Sequence, residues 1–263
     1  MLIDSHSHLN MYGYRRFGVN IKDVLGQIRR DRILTVTNSM DLASYRVNRR
    51  IAEMETFVIP AFGIHPWNSH RYPNKIEVLE DLIDANDIIG EIGLDHYWVN
   101  DRARYKAQRS IFELFLSKTP NKPISVHTKG AERNCLDLIS EYGNEKVMIH
   151  WYSGDLEILD EMIDADFHFT VGPEIEISDH IMEIAERIPV NRILTETDNP
   201  GGSEWLFNEI GKPKLIKDVL QAVSEAKKRG VSEMERIVEE NSLRFFGMGR
   251  NGFESDLLSS DLG

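Results

Sequence analysis

The sequence predicts an α/β fold: a single-domain (β/α)8 TIM-like barrel with an extra C-terminal helix. Three observations predict it. Eight short apolar runs, rich in β-branched residues, recur along the chain, and most are continuous rather than alternating. Parallel strands read this way when both of their faces are buried. Between the runs lie longer segments with the apolar spacing of an amphipathic helix. The 263 residues also match the roughly 250 residues that eight βα units occupy. An open doubly wound sheet is the competing architecture. The barrel is preferred because polar residues converge from many of the runs.

The runs cover residues 2–3, 33–36, 57–59, 88–89, 124–126, 147–149, 167–171 and 193–194. After the first, Ile21, Val24, Leu25 and Ile28 have the i, i+3, i+4, i+7 spacing of a buried helix face. Ile111, Leu114 and Phe115 continue the rule after the fourth run. Leu136 and Ile139 do so after the fifth, and Leu156, Leu159 and Ile163 after the sixth. Asp155 and Ser178 have the chemistry of N-caps. Gly143 and Gly230 sit where helices are expected to stop. Beyond 230, Met234, Ile237, Val238 and Phe245 predict one more helix. Residues 1–248 are therefore expected to form the barrel. Residues 249–263, with Gly, Ser and Asp and little apolar content, read as a flexible polar tail.

Lys and Arg total 31 against 43 Asp and Glu, a net charge of −12. Such a chain does not coat nucleic acid or an anionic membrane by bulk charge, though an enzyme with a locally positive cleft is compatible with it. The single cysteine, Cys135, excludes an intrachain disulfide and suits a reducing cytoplasm. No run approaches the ~18 apolar residues of a membrane span. The N-terminus lacks the basic stretch and apolar run of a signal peptide.

The chemistry gathers just after the runs, at the catalytic end of a parallel barrel. His6 and His8 are two apart. On a strand, both rings therefore point the same way and form a natural two-ligand unit. Glu91 follows Ile88-Ile89-Gly90, where a carboxylate is expensive to bury without a cation. Asp95 reads as a supporting acid. His127 and His150 end the fifth and sixth runs, and Asp198 closes Thr195-Glu196-Thr197-Asp198, with Glu196 supporting it. Each has an ordinary alternative: a satisfied core histidine, a buried salt bridge, a turn cap. Together, four histidines and two carboxylates exceed one tetrahedral centre. They suit two divalent ions bridged by a carboxylate and a water, with zinc, manganese or nickel matching mixed N/O ligands and magnesium the oxygen-rich side. His65, in Gly63-Ile64-His65-Pro66, is a substrate-contact candidate. His96 is expected at the rim, and His70, His168 and His180 as solvated or core residues. Cys135 is expected to be a small packed side chain.

These residues resemble the TatD-like metal-dependent deoxyribonucleases of the amidohydrolase superfamily. The matching pieces are Asp4-Ser5-His6-Ser7-His8-Leu9, Gly63-Ile64-His65-Pro66, Gly90-Glu91-Ile92-Gly93-Leu94-Asp95, Pro123-Ile124-Ser125-Val126-His127, His150-Trp151-Tyr152-Ser153-Gly154 and Glu196-Thr197-Asp198. Asn241 with Phe245 resembles the family's C-terminal pattern. The resemblance implies a (β/α)8 fold and hydrolysis of DNA phosphodiesters. It places His6 and His8 on a first metal, His127 and His150 on a second, Glu91 between them, and Asp198 as ligand and base. Two departures stand out. Lys129 takes the place of a family arginine, keeping the charge but not the bidentate geometry. Asn199-Pro200-Gly201-Gly202-Ser203-Glu204-Trp205 replaces the family's aromatic-leucine pair. Divergent members resemble subunits linked to phage defence, which makes defence-system partner proteins a further expectation.

The expected reaction is a two-metal hydrolysis in which Asp198 takes a proton while Lys129 and His65 offset phosphate charge. Tyr12, Tyr14, Arg15, Arg16 and Phe17 form an aromatic-basic loop that is either a base-stacking surface or an ordinary exposed loop. The lack of a broad basic face favours exonucleolytic action on single-stranded DNA or frayed ends. The rivals are another metallohydrolase, such as an ester or aminoacyl-tRNA deacylase, and a non-catalytic scaffold subunit. A lysine at the fourth strand end would have favoured amide or lactone substrates, but Glu91 stands there.

Overall fold

The computed structural model describes residues 1–73 and 76–249, and the chain is a (β/α)8 barrel. Its parallel strands are β1 (Leu2–Ser7), β2 (Ile33–Thr37), β3 (Val58–Pro60), β4 (Ile89–Gly93), β5 (Ile124–His127), β6 (Val147–Ile149), β7 (His168–Val171) and β8 (Ile193–Thr195). The helices between them are α1 (Ile21–Asp31), α2 (Leu42–Ala52), α3 (Ile76–Asp84), α4 (Tyr105–Lys118), α5 (Glu132–Tyr142), α6 (Leu156–Asp164) and α7 (Asp179–Arg187). After β8 come α8 (Gly201–Phe207), α9 (Ile216–Ala226) and the expected extra helix, α10 (Val231–Phe246). The expected tail, 249–263, lies outside the described residues except for Gly249.

Strands pair in sequence order as two arcs, β1 to β3 and β4 to β8. A parallel bridge between Phe62 and Ile89 joins the arcs. The remaining seam, β8 to β1, is closed largely by side chains. Thr195 Oγ1 donates to the Ile3 carbonyl at 2.7 Å, and Thr197 donates to Asp4 through Oγ1 at 2.6 Å and through its backbone N–H at 3.0 Å. The backbone N–H of Asp198 reaches the His6 carbonyl at 3.0 Å, and that of His8 the Asn199 carbonyl at 2.7 Å. The apolar strand residues pack as the continuous runs require. Ile89, Ile124, Val147, Phe169 and Ile193 join Phe115 and Leu116 of α4 and Leu159 of α6 in one cluster.

The strands run further than their apolar residues. β1 extends to Ser7, which pairs with Thr37, and β4 to Gly93, which pairs with His127. Backbone pairing continues across polar positions because the barrel interior, not the helix shell, receives them. Helix ends largely follow their chemistry. The Ser178 hydroxyl accepts from the Ile181 N–H at the start of α7, and Gly143 closes α5 at φ 71°. Asp155 holds the N-cap position of α6, but its side chain makes no cap bond. Gly230 corrects its expectation. It opens α10 with extended geometry at φ −68°, whereas α9 has already ended at Ala226. The reversal between the helices is made by Lys228, at φ 52°.

Asp4 is fully buried in the β8–β1 seam, and burial pushes its carboxyl up to about 8. The folded chain therefore holds a proton there that the unfolded chain releases near 4. This contribution to stability is complete only below about pH 4 and is lost as the pH rises from there to about 8. Asp4→Asn should flatten that part of the pH dependence in urea titrations. Thr197→Val, which removes the hydroxyl bonded to the same carboxyl group, should lower stability by about 1–3 kcal/mol with an unchanged m-value.

Candidate metal centre

The carboxyl ends of the strands bring the expected residues to one place. His6 lies within β1 and His8 just beyond it, two residues apart, so their rings emerge on the same side. Their Nε2 atoms are 3.4 Å apart. Glu91 sits in the middle of β4, His127 ends β5, and His150 follows β6. Asp198 comes three residues after β8, not at its end. Its backbone is left-handed, at φ 48°. A residue with a side chain holds that conformation only where its surroundings impose it. Here the Asp198 N–H is held by His6, and its carbonyl accepts from Gly202 at 2.8 Å.

Glu91 is the hub. Its Oε2 lies 3.3 Å from His8 Nε2 and 3.6 Å from His6 Nε2. Its Oε1 lies 3.0 Å from His127 Nδ1, 3.1 Å from His150 Nε2 and 3.2 Å from His65 Nε2. Asp198 Oδ1 adds a further oxygen 3.2 Å from His8 Nε2 and 3.8 Å from His6 Nε2. The rings of His6 and His150 stack, with centroids 3.9 Å apart.

The outer face of each ring fixes which nitrogen turns inward as an acceptor. His8 Nδ1 donates to the Asn38 carbonyl at 3.0 Å. His127 Nε2 donates to Asp95 Oδ2 at 2.9 Å, and His150 Nδ1 to Glu196 Oε2 at 3.2 Å. In the neutral rings the inner nitrogen of each is then a free lone pair, the arrangement by which carboxylates and carbonyls orient metal-binding histidines. His6 Nδ1 meets the Ser125 hydroxyl at 2.9 Å, which serves either tautomer. His65 has the opposite polarity. Its Nδ1 accepts the Trp67 N–H at 3.2 Å, so its proton sits on Nε2 and points at Glu91. His65 thus offers a donor to the centre where the others offer lone pairs. Asp95 is anchored in turn. Its Oδ1 accepts from the backbones of Tyr97, Trp98 and Val99, and its Oδ2 also accepts from Trp67 Nε1 at 2.7 Å.

The electrostatics call for positive charge. Burial opposes ionisation of Glu91, but the surrounding imidazoles, His65 and His150 foremost, hold its carboxyl well below the usual range. Burial likewise opposes a charged His8, yet bonds to Asp198 and Glu91 push it up to about 10. His150 is raised by Glu196 and Glu91, against burial. The carboxylates thus draw protons onto the rings, as they would draw a cation. With His8 neutral, Asp198 Oδ1 is buried without a hydrogen-bond donor among the described residues. Ligand atoms of His6, His8 and Asp198 lie within 4.8 Å of one another, as do those of His65, Glu91 and His127, and of His6, His150 and Glu196. Nitrogen and oxygen donors this close, with an orphaned carboxylate oxygen among them, fit divalent transition ions.

The centre opens into a cavity of about 530 Å³ lined by His8, His65, Glu91, His127, His150, Asp198 and Lys129. Lys129 Nζ donates to Ser153 Oγ at 2.7 Å and lies 5.4 Å from the Tyr97 ring centroid. The loop after β1 corrects the stacking expectation. Tyr12 and Phe17 are buried, each about 2% exposed, and the Tyr12 hydroxyl donates to the Gly211 carbonyl at 2.6 Å. Arg16 lies over the Phe17 ring and pairs with Glu204 at 3.3 Å. The apolar rings of this loop are spent on the core, leaving Tyr14 exposed. The sequence reading missed the tryptophans: all four in the chain line the cavity. The signal was present, because Trp67, Trp98, Trp151 and Trp205 each follow a singled-out residue (His65, Asp95, His150, Asp198) by at most seven positions. The remaining histidines stand apart from the centre. His96 stacks on Tyr105, His70 meets Arg104, His168 packs beside Phe245, and His180 contacts the Gly154 carbonyl. Cys135 is buried in α5 as expected. No helix among the described residues is long and apolar enough to cross a membrane.

Comparison with known proteins agrees with this architecture. The chain is 28% identical over 250 residues to an uncharacterised metal-dependent hydrolase of Methanocaldococcus jannaschii, covering 93% of this chain and 96% of that protein. It is 24% identical over 264 residues to the deoxyribonuclease TATDN3 of Homo sapiens, covering 93% and 94%. Among solved structures, the TatD homologue YJJV of Escherichia coli K12 matches with a TM-score of 0.84 at 17% identity, over 94% of this chain and 98% of that one. A TatD family hydrolase of Entamoeba histolytica matches at 0.79 and 20% identity, over 93% and 97%. At these identities the structural likeness establishes the fold. The sequence model of the TatD related DNases matches residues 3–247, and the chain belongs to that family.

Proposed function

We propose that this protein is a divalent-metal-dependent nuclease that hydrolyses DNA phosphodiester bonds, working exonucleolytically on single strands or frayed ends. The observation that carries the reading is the split of Glu91: one carboxylate oxygen faces His6 and His8, the other His127 and His150. A carboxylate so shared suits a pair of cations. His6, His8 and Asp198 would hold one ion, His127 and His150 the other, and Glu91 both. Zinc, manganese, nickel and magnesium are the candidates.

Bound ions supply Lewis-acid charge that activates water near neutral pH and offsets phosphate charge. The chain's own groups do the rest. Asp198 Oδ1, which lacks a donor when His8 is neutral, is the acceptor for the proton of the attacking water. His65 presents its Nε2–H to the centre, and Lys129 brings a cation to the cavity wall. Asp95 and Glu196 keep His127 and His150 in the tautomers that leave the inner nitrogens free. The family's name and the human relative's name support nucleic acid as substrate. Preference for an end or single strand rests on charge. Lys129 and Arg16 line the cavity together with Glu132, Glu174 and Glu204, and duplex binding relies on many phosphate contacts. The same three carboxylates favour a second reading, an ester or aminoacyl ester with fewer charges than a strand. A non-catalytic scaffold would have no use for a donor set held in such defined tautomers.

Metal-loaded protein should shorten a 5′-labelled single strand, and Glu91→Ala and Asp198→Asn should each cost about 10²-fold or more. Cleavage of aminoacyl esters with DNA and RNA left intact would replace this reading with the second. Because the metal-free site holds protons on imidazoles such as His8, metal binding must expel them. Affinity should therefore fall as pH is lowered, and calorimetry in buffers of different ionisation enthalpy should register net proton release at pH 7.5.

A further inference from the structure

The tryptophans at the cavity mouth are not explained by phosphodiester chemistry. Trp98 and Trp205 are 48% and 57% exposed, yet they cluster. The Trp205 ring lies 6.2 Å from that of Trp98 and 6.3 Å from that of Trp151, edge to face with both. Trp151 is fixed: its Nε1 donates to Glu174 Oε2 at 2.6 Å, and its backbone is left-handed at φ 42°. Two glycines make room for its ring. A Cβ on Gly202 would fall 2.7 Å from the indole, and one on Gly172 would fall 3.2 Å from it. Gly202 belongs to the segment 199–205 that follows Asp198. That segment lays α8 directly against Trp151 and so delivers Trp205 to the mouth. Exposed indole surface of this extent is costly in water unless a ligand covers it.

We infer that Trp98, Trp151 and Trp205 form a stacking subsite for a nucleobase, next to the metal centre in the same cavity. The inference rests on the nucleic-acid reading above. A base offers a flat π face of the right chemistry, and stacking on aromatic side chains tolerates any base because every base has that face. The ion pair of Arg16 with Glu204, beside Trp205, leaves little positive charge to hold phosphates at this rim. A base is therefore the part of a nucleotide that this wall can bind. Single-stranded or frayed ends expose their bases; stacked duplex does not.

The test uses metal-loaded protein with two probes that share one phosphate: deoxyadenosine 5′-monophosphate and 2-deoxyribose 5-phosphate. Neither contains a phosphodiester to cut, and tryptophan fluorescence reports directly because all four tryptophans line the cavity. The nucleotide should quench the fluorescence and bind about tenfold or more tightly than the sugar phosphate. Trp205→Ala should abolish most of that difference with metal content per chain unchanged, and Trp205→Phe should restore part of it. Trp98→Ala provides a second variant should Trp205→Ala fail to fold. Equal affinity for the two probes, or a difference that survives both alanine variants, would overturn the subsite. Those outcomes leave the nuclease reading to the strand-cutting assay, and a base-dependent difference without strand cutting would overturn that reading alone.

Discussion

A buried carboxylate between two pairs of imidazoles is the constraint on which the rest of the site depends. Glu91 is about 2% exposed and in contact with five ring nitrogens. Moving a carboxylate out of water costs several kcal/mol unless positive charge compensates it. The site answers from its periphery. Asn38, Asp95 and Glu196 each accept a hydrogen bond from the outer nitrogen of a ring, and each ring turns its other nitrogen inward. These outer partners come from three different strand ends, so the polarity of the centre is built into the barrel rather than into any one loop.

The barrel makes this convergence inexpensive in chain terms. Side chains 192 residues apart, such as His6 and Asp198, meet because β1 and β8 are neighbours around the closed sheet. The same seam ties the site to stability. Asp4, Thr195 and Thr197 close the ring just below the level where Asp198 is presented. A weakened seam would loosen both the fold and the carboxylate it positions. The left-handed backbones of Trp151 and Asp198 belong to the same logic, since both redirect the chain within three residues of a strand end so that a side chain faces the mouth.

Much of this was legible before any geometry. Period-two alternation put His6 and His8 on one side, and the order of apolar runs placed Glu91, His127, His150 and Asp198 at the same end of the sheet. Sequence could not supply the direction of each ring. His65 looks like the other strand-end histidines in one dimension and differs only because the Trp67 N–H occupies its Nδ1. Nor does composition separate buried from exposed aromatics. Tyr12 and Phe17 read equally as part of a stacking loop or of an ordinary exposed loop beside two arginines, yet packing on the core outweighed their neighbours' charge, while the indoles that reach the mouth were scattered singly through the chain. Gly230 misled for a related reason: glycine serves both the end of one helix and the start of the next, and only the backbone tells which.

The charge balance and the aromatic wall make one argument. A chain with net charge −12 cannot gather a polyanion by long-range attraction, and Glu132, Glu174 and Glu204 repeat that sign at the cavity. On the proposed reading, positive charge would be concentrated instead at the centre, in bound cations with Lys129 nearby. The remaining grip would then be uncharged, and stacking is the interaction that a tryptophan wall can supply. Divided this way, binding of a strand would release few counterions and depend little on salt. It would also select for substrates whose bases are already free, the acidic mouth making duplex a poor ligand.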